Sequence, residues 1–156
     1  MHTLSPAFVC HLVTFRVATP GGTAFVDLTE RLDRVVAEAG IRVGLLNVSS
    51  AHTTTGIVVN EDEPLLLADF EACLERLVPR RATYAHDDLA RRIGVGTDEP
   101  RNGHAHCRAL LLPSSAGLAV ANGRLLLGRW QRVFLVELDG PRERELSVVL
   151  LGEPGL

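Results

Sequence analysis

The sequence predicts an α+β domain with a largely antiparallel sheet and helices to one side. Two stretches with helical periodicity interrupt segments of strand character, and the last third of the chain contains strand-like segments alone. Asn122-Gly123 between two of these segments is a strong signal for a two-residue hairpin, which joins antiparallel strands. A chain of 156 residues matches the size of one domain, so we assign residues 1–156 to a single domain.

The two helices are predicted from apolar spacing and from their end residues. The first begins at Asp27 and ends before Gly40, with an apolar face formed by Leu28, Leu32, Val35, Val36 and Ala39. The second begins at 62–64, where proline suits the first turn, and ends before Pro79. Asp62 or Glu63 is expected to cap this second helix.

Alternating or β-branched segments predict the strands, over residues 7–18, 41–50, 53–61, 105–113, 117–121, 124–128, 131–138 and 144–151. On a strand at 105–113, His104, His106 and Arg108 would all point to one face. Residues 80–103 are polar and contain glycine and proline, so we expect an irregular segment there. Long irregular segments inside compact domains are often functional.

Composition narrows the class of protein. A net charge of −3 gives no electrostatic signature of a nucleic-acid partner. No apolar run reaches the roughly 20 residues of a membrane span, and the N-terminus lacks the pattern of a signal peptide, so we expect a cytoplasmic protein. All 16 basic residues are arginines, which excludes a lysine nucleophile. Apolar residues make up 46% of the chain, a fraction that favours a homo-oligomer.

The cysteines are odd in number and lie far apart, at Cys10, Cys73 and Cys107. Their spacing fits neither a cysteine-ligated zinc site nor a disulfide framework. We therefore expect reduced thiols that are mostly buried.

Three histidines stand in separate polar segments, at His52, His86 and His106. Neutral imidazole is the commonest protein ligand for zinc-like metals and the usual acid or base near neutral pH. If folding brings the three together, they form a metal or catalytic centre. Zinc is then favoured over magnesium, because Mg²⁺ prefers carboxylates and water. If they stay apart, they are scattered polar residues of a plain domain.

Several polar residues accompany these histidines. Asn60 and Glu61 stand at the mouth of the second helix, whose N-terminus attracts anions. Asp87 follows His86 and could fix its tautomer. Gln131 and Glu137 lie on a predicted strand, where buried polar groups need partners.

Taken together, the motifs resemble the YjbQ family along nearly the whole chain. The matching pieces are His52-Thr-Thr-Thr-Gly56, Asn60-Glu61, Tyr84-x-His86-Asp87, Asn102-Gly103-x-x-His106-x-Arg108-Ala109, Asn122-Gly123-Arg124 and Gly128-x-Trp130-Gln131. The resemblance implies an antiparallel sheet sandwich, a homotrimer and a polar site with proposed metal ions. It also implies the activity of a secondary thiamine-phosphate synthase.

Carried over by position, the family's histidines match His52, His86 and His106, and its polar accompaniment matches Asn60, Glu61, Asp87, Gln131 and Glu137. The chain departs from the family where Arg108 replaces a frequent lysine and where Leu110 and Pro113 replace a small polar residue and a glycine. Arginine keeps the charge and can hold phosphate through two hydrogen bonds, but it cannot act as a titrating base.

Three functions remain open. The first is synthesis of thiamine phosphate from a pyrimidine diphosphate and a thiazole phosphate. Arg108, with Arg129 as a second candidate, would bind phosphate, and Glu61 would orient the substrate. The second is a metal-dependent hydrolase or lyase of a small anionic substrate, with Glu61 or Glu137 as general base. The third is a non-enzymatic, trimeric protein that binds a metal or a ligand.

Overall fold

The computed structural model describes residues 8–96 and 98–155. In chain order the elements are β1 (Val9–Thr19), β2 (Ala24–Asp27), α1 (Thr29–Ala39), β3 (Ile41–Ser50), β4 (Thr55–Glu61), α2 (Pro64–Leu77), a short 3-10 helix (Ala85–Asp87), α3 (Gly103–Leu110), β5 (Ser115–Ala121), β6 (Arg124–Leu125), β7 (Gln131–Glu137) and β8 (Arg142–Pro154). Within those two ranges, no helix has the length and apolar character needed to cross a membrane.

The strands form two antiparallel sheets. The larger sheet has the order β1-β8-β3-β5-β6, and the smaller has the order β2-β7-β4. Every strand pair is antiparallel, and Asn122-Gly123 turns β5 into β6 with both residues at positive φ, 52° and 73°. The predicted α+β class and the sandwich that the resemblance implied are both confirmed.

The main core lies between the two sheets and α1. Leu32 and Val36 of α1 have no exposed surface and pack with Leu46 of the larger sheet and Leu135 of the smaller one. Sequence signals fix both ends of α1. The Asp27 carboxylate accepts the Thr29 N–H at 2.8 Å, and Gly40 ends the helix at a φ of 65°.

A second core covers the other face of the smaller sheet. Phe134 and Val136 of β7 pack there with Leu74 of α2 and Ala105 of α3. Strand β7 is thus buried on both faces, which explains its continuous apolar run. The predicted cap of α2 is confirmed, because both carboxylate oxygens of Glu63 accept backbone N–H groups of the first turn.

The predicted strand over 105–113 is wrong, because Gly103–Leu110 form α3. Its N-terminus is held from outside the segment: the Asp87 carboxylate accepts the Gly103 N–H at 2.8 Å. The common face expected for His104, His106 and Arg108 is therefore wrong as well. In α3, His104 and Arg108 are buried and His106 is partly exposed. A helix fixed by a distant carboxylate overrides the local alternation from which the strand was predicted.

Two strands and the cysteines also differ from what the sequence predicted. Strand β2 spans Ala24–Asp27, where no strand was predicted and where the helix was expected to begin at Asp27. Strand β6 spans Arg124–Leu125, where a longer strand over 124–128 was expected. The cysteines are free, as predicted, but all three are exposed, so the expected burial is wrong. Cys10 points outward on β1, and Cys73 and Cys107 occupy exposed positions on α2 and α3.

Candidate functional site

His52 sits in the connection between β3 and β4, and hydrogen bonds hold this connection. The hydroxyls of Ser50 and Thr55 are 2.6 Å apart, and the His52 N–H is 3.3 Å from the Ser50 oxygen. The ring reaches β8, where its Nε2 accepts the backbone N–H of Glu145 at 2.8 Å. A backbone N–H can only donate, so Nε2 carries no proton and the neutral ring has its proton on Nδ1.

His86 and His106 contact each other through their rings. The ring centroids are 4.7 Å apart, with an angle of 61° between the ring planes. His86 belongs to the 3-10 helix and His106 to α3, and the bond from the Gly103 N–H to Asp87 joins these two elements. Asp87 therefore positions the helix that carries His106, a role different from the expected contact with His86.

His52 and His106 line the same open cleft, which has a volume of about 460 Å³. Hydroxyl residues and small or apolar residues complete its walls, namely Ser50, Ala51, Thr53, Thr55, Ala109, Leu110 and Ser114. His86 reaches this region through its contact with the His106 ring. The fold thus brings His52 and His106 to one cleft, and His86 contacts the His106 ring beside it. We call it the histidine cleft.

Both cleft histidines are neutral near pH 7. Burial, followed by the positive charge of Arg144, lowers the pKa of His52 from its ordinary value of 6.5. Burial, followed by the adjacent His86, lowers the pKa of His106. Neutral imidazoles can accept a proton, donate a hydrogen bond or bind a metal, so the cleft can support acid–base chemistry.

Glu137 lies fully buried at the end of β7 and is saturated with hydrogen bonds. Arg144 donates to both of its oxygens at 2.6 Å, and Thr19 and three backbone N–H groups also donate to it. Burial alone would raise the pKa of Glu137, but these hydrogen bonds lower it to about 2. A carboxylate of that pKa is a weak base, so Glu137 stabilises the wall behind the cleft and is poorly suited to be a general base.

Arg108 is buried and fully engaged within the protein. It donates to the Val78 carbonyl at 3.0 Å and to the Thr23 hydroxyl at 2.9 Å, and it pairs with Glu75 of α2. Its side chain is only 2% exposed. In this arrangement Arg108 connects α3 to α2, and its guanidinium is not presented to the histidine cleft.

Asn60, Glu61 and Gln131 lie at the opposite end of the smaller sheet. Glu61 pairs with Gln131 in register, whereas Thr55, at the other end of β4, pairs with Glu137. Six residues of extended strand separate the two ends by ~20 Å. Asn60 lines a separate apolar pocket of about 200 Å³ between α2 and the sheet. These three residues are therefore not brought together with the histidines within one chain.

A metal centre in the cleft would need several suitable side chains close together. Across residues 8–96 and 98–155, no three His, Cys, Asp or Glu side chains lie close enough to hold a metal ion. A catalytic zinc site takes three protein ligands, whereas His86 and His106 supply two imidazoles, and Nε2 of His52 already accepts a backbone N–H. These residues do not fit a zinc centre within one chain, and the metal stays a prediction.

The sequence reasoning missed two residues that shape the site. Arg144 bonds Glu137 and the Thr54 hydroxyl, and Asp139 accepts from Asn102 at 2.8 Å and from Arg142. Arg144 could have been found from its phase on β8, since it alternates with Leu146, Val148 and Leu150, all buried. A charged residue on the buried face of a strand must have a partner.

Comparison with known proteins agrees with this fold and these motifs. The family model described as "UPF0047 protein YjbQ-like" matches residues 13–153. A UPF0047 protein of Methanothermobacter thermautotrophicus is 41% identical over 129 residues, which cover 83% of each chain. The UPF0047 protein YugU of Bacillus subtilis is 30% identical over 142 residues, covering 90% of this chain and 99% of that one.

Solved structures agree as well. A YbjQ-like protein of unknown function from Sulfolobus solfataricus superposes with a TM-score of 0.84 at 32% identity, covering 94% of this chain and 100% of that one. A hypothetical protein from Aeropyrum pernix gives a TM-score of 0.80 at 34% identity, covering 92% and 99%. The match over residues 13–153 and these relatives establish that the chain belongs to the YjbQ-like UPF0047 family.

Proposed function

We propose that the protein is a small-molecule enzyme that acts on a phosphorylated substrate in the histidine cleft, in the manner of a secondary thiamine-phosphate synthase. One observation carries the proposal: His52 and His106, from distant segments, line one cleft together with several hydroxyl residues. Depressed pKa values keep both imidazoles neutral and reactive near pH 7. Clefts that combine convergent polar groups with shifted pKa values are the usual location of active sites.

In the synthase reaction, the thiazole nitrogen forms a bond to the methylene carbon of the pyrimidine. The carbon–oxygen bond to diphosphate breaks, and pyrophosphate leaves with the electron pair. The protein must therefore hold the substrates in line and stabilise negative charge on the leaving group. Imidazole N–H groups and the hydroxyls of Thr53 and Ser114 supply hydrogen-bond donors in the cleft.

The test is turnover of the two precursors by purified full-length protein with added Mg²⁺. We expect thiamine phosphate to form, and we expect His106→Ala to lower the rate about 100-fold. His11→Ala, on β1 and outside the cleft, should retain the wild-type rate. Absence of product from wild type at saturating precursors would refute the synthase activity.

The second candidate is a metal-dependent hydrolase or lyase of a small anionic substrate. The contact between the imidazoles of His86 and His106 favours it, because two neighbouring imidazoles can share a metal ion. It requires a divalent metal, zinc before magnesium, with a further ligand beyond these two. Elemental analysis of tag-free protein purified without chelator tests this, beside His106→Ala. Near-stoichiometric zinc that is lost in the variant would support the metal site, and a metal-free wild-type protein would refute this second candidate.

Metal binding without any turnover would point to the third candidate, a binding protein.

We also propose that the protein is a homotrimer that associates through the outer face of the larger sheet. Leu12, Leu45 and Leu151 are 69%, 52% and 47% exposed on adjacent strands. Leu45 and Leu151 are paired in register, and Leu12 pairs with Val149 beside them. A contiguous apolar face of this kind is typical of subunit interfaces.

Light scattering after size exclusion tests the association. Leu45→Glu should give monomer, while Ile93→Glu, at a 99% exposed loop position, should leave the trimer intact. A monomeric wild-type protein would refute the trimer.

The three exposed free thiols suit a reducing compartment, so we propose a cytoplasmic location, which cell fractionation would check.

A further inference from the structure

A small apolar pocket lies between α2 and the smaller sheet, apart from the histidine cleft. It has a volume of about 200 Å³. Most of its walls are aromatic or aliphatic and come from β2, β4, β7, α2 and the segment after α3, namely Phe25, Val58, Val136, Phe70, Leu74 and Leu112. None of the described residues that line the pocket is charged. The pocket therefore suits neither a metal ion nor a phosphate, which would lose their hydration without a charged partner.

The fold holds the end of this pocket in place. Gly56 of β4 has no side chain, and a Cβ at this position would lie 2.7 Å from the Cβ of Leu112. The next residue, Ile57, donates its N–H to the Pro113 carbonyl at 2.8 Å. This hydrogen bond fixes the segment that carries Leu112 against the sheet. The pocket is thus preformed, as ligand sites for small molecules usually are.

The size and the walls of the pocket define the shape of its occupant. Cavities of about 150 Å³ with apolar walls stay dry and take a single benzene-sized ring. Larger ligands need about 300–1,000 Å³. The rings of Phe25 and Phe70 have centroids 5.9 Å apart, with an angle of 51° between their planes. Such tilted rings offer both faces and edges to a third aromatic ring.

The mouth of the pocket supplies a polar group. Asn60 and Cys73 line the pocket and are exposed to solvent. The side-chain oxygen of Asn60 accepts the Glu61 N–H at 2.9 Å, so the backbone already uses the acceptor of this amide. The amide NH₂ group carries two donors. A ligand that bears a hydrogen-bond acceptor therefore matches Asn60 better than one that bears a donor.

We propose that this pocket is a second ligand site, which binds a small, neutral aromatic ring with a hydrogen-bond acceptor, such as a nitrogen heterocycle. The ring packs against the two phenylalanines, and its acceptor bonds the Asn60 amide. The site is distinct from the histidine cleft, because Leu112 lines the pocket whereas Leu110 and Ser114 of the same segment line the cleft. The inference goes beyond the proposed function and does not depend on it.

Methyl NMR of the full-length protein during titration with benzene and with pyridine tests this, in a mildly alkaline buffer where pyridine is neutral. The two rings have nearly the same size, and only pyridine carries an acceptor. We expect both to shift the methyl signals of Val58, Leu74, Leu112 and Val136 saturably. Asn60→Ala should weaken pyridine binding about fivefold and leave benzene binding unchanged, because it removes one hydrogen bond.

A filled pocket provides the negative control. Val58→Phe should abolish binding of both rings, while Leu65→Phe, at a 76% exposed position on α2 outside the pocket, should bind like wild type. Thermal unfolding shows whether each variant is folded. Wild-type protein gives an independent measurement: both rings should slow alkylation of Cys73 by iodoacetamide and leave alkylation of Cys107, exposed outside the pocket, unchanged.

The outcomes decide the inference without reference to turnover. Absence of saturable methyl shifts and of Cys73 protection with both rings overturns it. Equal weakening of benzene and pyridine in Asn60→Ala overturns the role of the acceptor. Pocket methyl signals that shift when the protein alone is diluted mean that a second copy occupies the pocket, which also overturns the inference. Failure to form thiamine phosphate would refute the synthase proposal and leave this one standing.

Discussion

Glu137 and Arg144 form a buried ion pair that joins the two sheets beside the histidine cleft. Glu137 ends β7 of the smaller sheet and Arg144 lies on β8 of the larger one, and both nitrogen–oxygen distances are 2.6 Å. Arg144 also donates to the Thr54 hydroxyl, two residues after His52. The pair therefore fixes one wall of the cleft and sets the electrostatic surroundings of His52.

Breaking this pair should destabilise the protein strongly. We expect Glu137→Gln to lower the free energy of unfolding by about 3 kcal/mol or more, because it leaves the buried Arg144 uncompensated. Urea denaturation measures the loss. The control is Arg16→Ala, which removes exposed ion pairs with Glu143 and Glu145 and should cause a much smaller loss, because water screens exposed charges. Equal losses in the two variants would contradict the structural role of the buried pair.

Arg108 should behave as a structural residue and not as a substrate ligand. We expect Arg108→Ala to lower the free energy of unfolding by about 2–4 kcal/mol, since Val78, Thr23 and Glu75 lose a shared partner. Phosphate binding per folded molecule should stay near the wild-type value. A folded Arg108→Ala protein of wild-type stability that no longer binds phosphate would contradict this assignment.

Gly103 allows α3 to approach the 3-10 helix. A Cβ at this position would lie 2.5 Å from the Cβ of Tyr84 and 3.1 Å from the Asp87 carboxylate. We expect Gly103→Ala to cost about 1–3 kcal/mol and to weaken phosphate binding, because His86 and His106 would be pushed apart. Gly117→Ala is the matched control, since its Cβ meets no atom within 4 Å. Phosphate binding that is unchanged in Gly103→Ala would show that the contact between these histidines is dispensable.

Stability should fall as the solution becomes acidic. The pKa values of His52, His104 and His106 are lowered from 6.5, in each case chiefly by burial. As the pH falls below about 6.5, the unfolded chain therefore binds more protons than the folded one, and the free energy of unfolding decreases. Urea denaturation between about pH 8 and pH 5.5 measures this slope.

His104 tests that account, because its buried Nε2 has no hydrogen-bond partner in residues 8–96 and 98–155. We expect His104→Gln to reduce the slope without abolishing it, since the two cleft histidines remain. A variant that retains the full wild-type slope would assign the pH dependence to other groups. Glu137 acts in a separate range: its contribution is fully present above its ordinary pKa of 4.5 and is lost as the pH falls towards about 2.

Most of the fold follows from local signals in the sequence. Asp27 and Gly40 mark the ends of α1, Glu63 and Pro64 begin α2, and Asn122-Gly123 forms the hairpin turn. Helix α3 could not be predicted in this way, because Asp87, 16 residues earlier, anchors its first N–H. A short segment whose stability comes from a distant contact carries a weak local signal.

The sequence could single out the three histidines that the fold brings close together, but not where their polar accompaniment would lie. The three histidines stand in separate polar segments that the fold brings close together, whereas Asn60, Glu61 and Gln131 lie at the other end of the smaller sheet. Glu137 and Arg108 fit the motifs, yet their surroundings convert them into buried structural groups. Only the side-chain partners, which depend on the tertiary structure, distinguish a bound carboxylate from a reactive one.

The central claim is that the histidine cleft, and not the end of the sheet with Asn60, Glu61 and Gln131, receives the phosphorylated ligand. Side-chain NMR of the histidines and amides during titration with pyrophosphate tests it most directly. We predict that the imidazole signals of His52 and His106 shift in proportion to binding, while those of His11 and the amides of Asn60 and Gln131 stay in place. Saturable shifts confined to Asn60 and Gln131, with the cleft imidazoles unchanged, would contradict it.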